Sequence, residues 1–201
     1  MISADHITGL ILAGGRAQRM GGIDKGLIPF HGKALIESAI QALKSQVGQI
    51  LINANRNITK YSIYGYPVIV DEAPDFSGPL AGFLAGLKVC KTPYLVTSPC
   101  DSPLMPPDLC AKLAEELESG NYQLVYASTK EASGKIWAQP VFCFMRSDVK
   151  SSLKEFLSKG DLKIDNWFKE LRTSTVIFEN AKAFANVNTP EELQHLEAMS
   201  K

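Results

Sequence analysis

The chain has 201 residues, 45% of them hydrophobic and 21% charged, the proportions of an ordinary globular protein rather than a disordered or fibrous one. Its 21 basic and 21 acidic residues balance, so no global positive field exists to hold nucleic acid or an anionic membrane, and any anion site must be local. The start MISADHITGLILAGG places Asp5 ahead of a short apolar run with no basic stretch, and nowhere do about eighteen apolar residues run together, which predicts a cytoplasmic location with no membrane contact.

Apolar runs rich in Ile, Val and Leu alternate with amphipathic stretches, the pattern of an α/β protein with a mostly parallel sheet and helices on both faces. In chain order, Ile7 to Ala13 reads as the first strand and leads into a glycine-rich loop. Leu35, Ile36, Ala39, Ile40 and Leu43 then recur at helical spacing. Gln49 to Asn53 and Val68 to Val70 read as strands, and Leu80, Phe83, Leu84 and Leu87 form a second helical face after Pro79. Tyr94 to Thr97 is the next strand, followed by a helix that Pro106 and Pro107 open and that closes near Gly120. Leu124 to Ala127, Pro140 to Phe144 and Thr175 to Phe178 complete the strands. Gly134 and mixed charge make Ser128 to Gln139 a loop, and Gly160 to Leu171 fits either a short helix or an irregular excursion. Thr189-Pro190-Glu191-Glu192 is a capping box with proline at the first helical position, starting a helix that runs to about Met199.

No repeat and no low-complexity linker divides the chain, so residues 1–201 read as one domain of three layers. Cys90, Cys100, Cys110 and Cys143 lack metal-ligand or redox spacing and read as reduced, buried thiols. His6, His31 and His195 are scattered and receive no role. Phe83, Leu84, Trp167 and Phe168 read as core or partly buried helix faces, and the Lys and Glu residues of Lys112 to Glu118 as a solvated helix face.

The loop LAGGRAQRMGGIDKG, Leu12 to Gly26, leaves the carboxyl end of the first strand, where ligands of open α/β sheets bind. Gly14 and Gly15 remove side chains where backbone N–H groups approach phosphate oxygens, while Arg16, Arg19 and Lys25 can neutralise a polyphosphate. The spacing is neither G-x-G-x-x-G nor a P-loop, since Lys25 is followed by Gly26 rather than by Ser or Thr. Read as a loop alone, the string is also compatible with a flexible surface turn.

Leu12-Ala13-Gly14-Gly15, Arg19-Met20-Gly21 and Asp24-Lys25 together match the signature of the nucleotidyltransferase superfamily. With Asn53-Ala54-Asn55-Arg56, Val70-Asp71, Ser77-Gly78-Pro79-Leu80-Ala81-Gly82, Pro99-Cys100-Asp101-Ser102-Pro103 and Asn186-Val187-Asn188-Thr189-Pro190, the chain resembles the molybdenum cofactor guanylyltransferases over nearly its whole length. That resemblance implies a Rossmann-like nucleotidyltransferase fold whose N-terminal half binds GTP and whose C-terminal half mainly binds molybdopterin.

Carried over residue by residue, it implies that Leu12, Ala13 and Gly14 line the nucleotide through their backbone. Lys25 would contact the phosphates, Asn53 and Asp71 the guanosine, and Asp101 a magnesium ion. Each role has a chemical basis and a plainer competitor. A carboxylate such as Asp71 accepts from guanine N1–H and its exocyclic amine, although an aspartate at a strand end also serves as a turn residue. Asp101 is a hard-oxygen donor suited to Mg2+, and equally a capping residue before Pro103. Asn53 could simply cap a turn. Arg56, Asn186 and Asn188 match family strings bordering the second substrate, but Asn188-Thr189 is also what a helix start needs.

The implied reaction is attack by the terminal phosphate of molybdenum-bearing molybdopterin on the α-phosphorus of GTP, giving a guanine dinucleotide and pyrophosphate with Mg2+ as cofactor. A phosphate monoester has a second pKa of about 6, so its oxyanion needs no enzyme base, and none is evident in the sequence. Lys25, Asp101 and Arg19 are the expected catalytic groups. The resemblance further implies a monomer that hands its product to molybdopterin-insertion proteins or apo-molybdoenzymes. The competing readings are a cytidylyltransferase or sugar-phosphate nucleotidyltransferase of the same superfamily, and a noncatalytic cofactor carrier.

Overall fold

The computed structural model describes residues 2–13, 24–72, 78–131 and 133–199. Gly14 and Arg19, with the rest of the loop up to Ile23, therefore lie outside the described residues, as does Ser77.

The first strand, β1, spans Ile7–Leu12. A short hairpin, β2 (Pro29–Phe30) with β3 (Lys33–Ala34), precedes helix α1 (Leu35–Lys44). Strand β4 (Gln49–Asn53), the short helix α2 (Ile58–Ser62) and strand β5 (Val68–Ile69) follow, then helix α3 (Pro79–Val89). Next come strand β6 (Tyr94–Pro99), helix α4 (Leu109–Ser119), and the long pair β7 (Leu124–Lys130) and β8 (Ile136–Arg146). Helices α5 (Lys150–Ser158) and α6 (Ile164–Phe168), strand β9 (Thr173–Phe178) and helix α7 (Pro190–Met199) complete the described chain.

Seven of these strands form one sheet in the order β5-β4-β1-β6-β8-β7-β9. β5, β4, β1 and β6 are parallel, and only β8 runs against its neighbours β6 and β7, while β9 is parallel to β7. The carboxyl ends of β4, β1 and β6 are level, with Leu12 opposite both Asn53 and Pro99. This is the edge at which ligands of such sheets bind.

Alternation along the strands divides the core into two layers. Ile7 and Ile11 of β1, with Val96 and Val125, pack beneath α1 and α4, whereas Leu10, Leu95 and Leu124 pack beneath α3, α5 and α6. Trp167 and Phe168 of α6 are buried in the second layer, so the segment between Gly160 and Leu171 is a short helix. A third cluster joins Ile28, Phe30 and Leu35 to Val187 and Leu196, binding the C-terminal segment to the hairpin after the glycine-rich loop.

Three expectations need correction. Ser128 to Gln139 is not a loop: β7 and β8 pair out to Lys130 and Ile136, leaving only a turn between them. Trp137 Nε1 donates to Glu131 Oε1 at 2.6 Å, and Lys135 Nζ lies 3.7 Å from the Trp137 ring centre, so the charged residues that suggested a loop clasp the hairpin tip. Pro106 and Pro107 do not open α4. They precede Asp108, the residue from which the helix starts at Leu109. The capping pattern at Thr189 is split: its hydroxyl accepts from the Glu192 N–H at 3.1 Å, but the Glu192 carboxylate accepts from the N–H of Asn188, one residue before the cap.

Candidate active site

The ends of β4 and β5 carry the first part of the site. Asn53, the last residue of β4, is 3% exposed and donates from Nδ2 to Asp71 Oδ1 at 2.9 Å. Asn55 donates to Asp71 Oδ2 at 2.6 Å, while its own Oδ1 accepts from the Asp71 backbone N–H at 2.8 Å. Each carboxylate oxygen of Asp71 thus keeps an accepting lone pair while its orientation is fixed by two amides.

Helix α3 comes so close to this corner that any side chain at position 82 would displace its neighbours. A Cβ there would lie 2.5 Å from Asn53 Oδ1 and 2.6 Å from Leu12 Cδ2. Leu12 in turn accepts at its carbonyl from the Cys100 N–H, and the Ala13 N–H donates to the Asn53 carbonyl, so the three strand ends form one connected edge.

The second part forms around Lys25. The chain re-enters the described structure at Asp24 and makes a single 3-10 turn, Lys25–Leu27. Lys25 Nζ donates to Asp101 Oδ2 at 3.0 Å and to Asn188 Oδ1 at 2.6 Å. Asp101 follows β6, and its carbonyl accepts from the Val187 N–H, which brings the C-terminal segment to the sheet edge. Ser102 Oγ bonds Asn186 Oδ1 at 2.5 Å in the same contact. The Lys25 and Asp101 side chains are 23% and 14% exposed, so the pair faces an opening. This partly buried ion pair sits at the strand ends, the edge at which ligands of such sheets bind.

Beneath Lys25 lies a buried polar group that the sequence reading passed over. Asp24 is 7% exposed; its Oδ1 accepts from Tyr61 Oη at 2.5 Å, its Oδ2 accepts from Asn57 Nδ2 at 2.9 Å, and Arg56 Nε lies 3.6 Å from Oδ2. Burial, with the Cys100 sulfur and the Asp24 carboxylate nearby, pushes the Tyr61 hydroxyl's pKa up, so it stays protonated and donates. Asn57 holds a left-handed backbone, φ 51°, that asparagine tolerates well. Gly26 leaves room for this contact, because a Cβ there would lie 2.5 Å from Tyr61 Oη.

The structure therefore brings Lys25, Asp101 and Asn188 together, and separately joins Asn53 to Asp71 along the same edge. Asn186 touches the cluster through Ser102. Leu12 and Ala13 line the edge through their backbone. Asn55 lay in plain sight in the string NANR, whereas Tyr61, in a short polar helix without periodicity, gives no signal in sequence. Among the described residues no group of three His, Cys, Asp or Glu side chains could hold a metal. Asp101 is the carboxylate at the opening, and an ion such as Mg2+, which keeps waters and takes phosphate oxygens alongside one or two carboxylates, suits a single donor of this kind.

Comparisons with known proteins bear on the family and the fold. A sequence model of the MobA-like NTP transferase domain matches residues 9–175. The molybdenum cofactor guanylyltransferase of Polynucleobacter asymbioticus is 74% identical over 198 residues, covering 98% of this chain and 99% of that protein. The protein of the same name from Bordetella pertussis is 50% identical over 198 residues, covering 98% of this chain and 100% of its own. Among solved structures, molybdopterin-guanine dinucleotide biosynthesis protein A from Archaeoglobus fulgidus superposes with a TM-score of 0.76 at 20% identity, covering 96% of this chain and 97% of that one. A 4-diphosphocytidyl-2C-methyl-D-erythritol synthase from Anaerococcus prevotii also gives 0.76, at 13% identity, over 98% of this chain and 96% of its own. These two likenesses bear on the fold alone.

Proposed function

The chain belongs to the MobA-like NTP transferase family, among its molybdenum cofactor guanylyltransferases, and from that premise we propose that it transfers GMP from GTP to the terminal phosphate of molybdopterin. The observation that carries the reading is the meeting of Lys25, Asp101 and Asn188 at the carboxyl edge of the sheet, beside an Asp71 carboxylate oriented by Asn53 and Asn55.

In this reading Asp71 accepts from guanine N1–H and the exocyclic amine, a donor pair that adenine lacks. Leu12, Ala13 and Gly14 offer backbone to the nucleotide, and Lys25 and Arg19 hold the triphosphate. The molybdopterin phosphate, already an oxyanion at neutral pH, attacks the α-phosphorus. A new P–O bond forms, the bond between the α-phosphorus and its bridging oxygen breaks, and pyrophosphate leaves with the electron pair. Lys25 supplies positive charge where charge builds on the leaving group, and alignment supplies the rest. Asp101 is the residue that would hold Mg2+, which when bound neutralises phosphate charge.

The domain organisation follows the same reading. Residues 1–201 act as one nucleotidyltransferase domain, with GTP on the N-terminal half and molybdopterin mainly on the C-terminal half, where Asn186 and Asn188 border it. The protein works as a cytoplasmic monomer and passes its product to insertion proteins or apo-molybdoenzymes.

Pyrophosphate release from GTP tests the proposal. It is expected to require both molybdopterin and Mg2+ and to stop on chelation; binding of both ligands without release would instead mark a carrier.

A further inference from the structure

Asp24 is a buried acid one residue before Lys25, and the mechanism above does not use it. Its carboxylate is 5% exposed and engaged on both oxygens, by Tyr61 Oη on one and by Asn57 Nδ2 and Arg56 on the other. A group so enclosed is not placed to ligate a cation or touch a phosphate. Burying a carboxylate is unfavourable unless it is paired and hydrogen-bonded, and its partners among the described residues, Arg56, Asn57 and Tyr61, come from the segment after β4.

The stretch from Asn53, at the end of β4, to Tyr61 also carries the amides that orient Asp71. The backbone of Asp24 and Lys25 is tied further by the 3-10 turn, with Leu27 N–H donating to the Asp24 carbonyl and Ile28 N–H to the Lys25 carbonyl. Gly26 lets the turn sit directly on Tyr61. Lys25 therefore projects from a backbone fixed on its floor by one buried carboxylate. Its long side chain reaches Asp101 and Asn188 from that anchor.

We propose that Asp24 is a positioning residue that acts through Lys25, its contacts with Tyr61, Asn57 and Arg56 setting where the Lys25 ammonium meets the triphosphate. The inference rests on the proposed role of Lys25 and adds the residue that aims it. It also ties the base-reading corner and the phosphate-reading lysine to one short segment, Asn53 to Tyr61. Displacing a positioned group by about 1 Å can reduce rates by roughly 100-fold, so a loosened anchor has a measurable consequence without unfolding the chain.

The test is a double-mutant cycle between Asp24→Asn and Lys25→Ala. Asparagine keeps an acceptor for Tyr61 but turns an N–H₂ toward donors, which loosens the anchor while preserving volume. Turnover is read as GTP-dependent pyrophosphate release at raised enzyme concentration, GTP affinity by calorimetry, and folding by thermal melting. Asp24→Asn is expected to lower kcat/KM roughly 10- to 100-fold in the native background. In the Lys25→Ala background it is expected to have no further effect, because the group it positions is gone.

Multiplying losses in the double variant, or native turnover in Asp24→Asn, would overturn this inference alone. Native turnover in Lys25→Ala would overturn both it and the proposed function. Should Asp24→Asn fail to fold, Tyr61→Phe takes its place in the cycle, with a smaller loss expected in the native background and again none beside Lys25→Ala.

Discussion

Lys25 and Asp101, 76 positions apart in sequence, meet at 3.0 Å where the strands β1 and β6 end. The pair is partly buried, with its side chains 23% and 14% exposed, and in the proposed function each member bears the charge that a metal-bound triphosphate would need opposite it. In the free protein the two charges compensate one another, and Asn188 steadies the lysine from the C-terminal segment. In the proposed function, binding of the triphosphate would exchange one partner for another at this place.

Loss of either member is therefore expected to remove most of the activity and leave the fold intact. Lys25→Ala and Asp101→Ala should each lower kcat by on the order of 100- to 1000-fold, the usual consequence of deleting a preorganised electrostatic contact. Pyrophosphate release measures the first effect, and unchanged melting temperatures check the second. Near-native rates in both variants would refute the site assignment.

Asp71→Asn should weaken guanine recognition rather than chemistry. One acceptor becomes a donor facing the guanine edge, at the cost of a charged hydrogen bond, so kcat/KM for GTP should fall roughly 10- to 100-fold while that for ATP changes little. The ratio of the two constants is the measurement. Asn55→Ala should move it in the same direction by less, since it frees the carboxylate without replacing it.

Gly82→Ala should damage the same corner from the helix side. The added methyl would sit 2.5 Å from Asn53 Oδ1. Either α3 lifts or Asn53 turns away from Asp71, with an overpacking penalty of about 1–3 kcal/mol. Calorimetry should report weaker GTP binding, and melting should report a lower transition temperature.

Much of this arrangement was legible in the sequence, and the exceptions have physical reasons. Gln49–Asn53 reads directly as a strand because four apolar or strand-ending residues follow one polar one, and the C-terminal helix announces itself by Thr189 and Pro190. The antiparallel sense of β8 was not legible, because Phe142 to Met145 is a continuous apolar run buried on both faces, as a parallel strand would be. The β7–β8 extension hid behind charged residues that satisfy one another at its tip. Resemblance picked out Lys25, Asp71 and Asp101 by their strings. Asp24 stood in the same signature without a role of its own, since nothing in sequence reveals that Tyr61 and Asn57 would fold over it.

The buried thiols give a pH dependence with a definite sign. Burial pushes Cys110 and Cys143 up to about 12, against an ordinary thiol near about 8.5 in the unfolded chain. Their contribution to stability is complete below the unfolded value and is lost as pH rises through the folded one. Between about pH 9 and pH 12 the unfolded chain releases protons that the native state retains, and the melting temperature should fall. Cys143→Ala should make that decline shallower by removing one titrating thiol; a melting temperature flat to about pH 11 would contradict the assignment.

The most direct measurement of the central claim is incorporation of nucleotide into molybdopterin with GTP, CTP, ATP and UTP in equal competition. The product is expected to be almost wholly the guanine dinucleotide, with selectivity lost in Asp71→Asn. A product dominated by cytidine, or no pterin dinucleotide at all while a sugar phosphate is nucleotidylated, would contradict it.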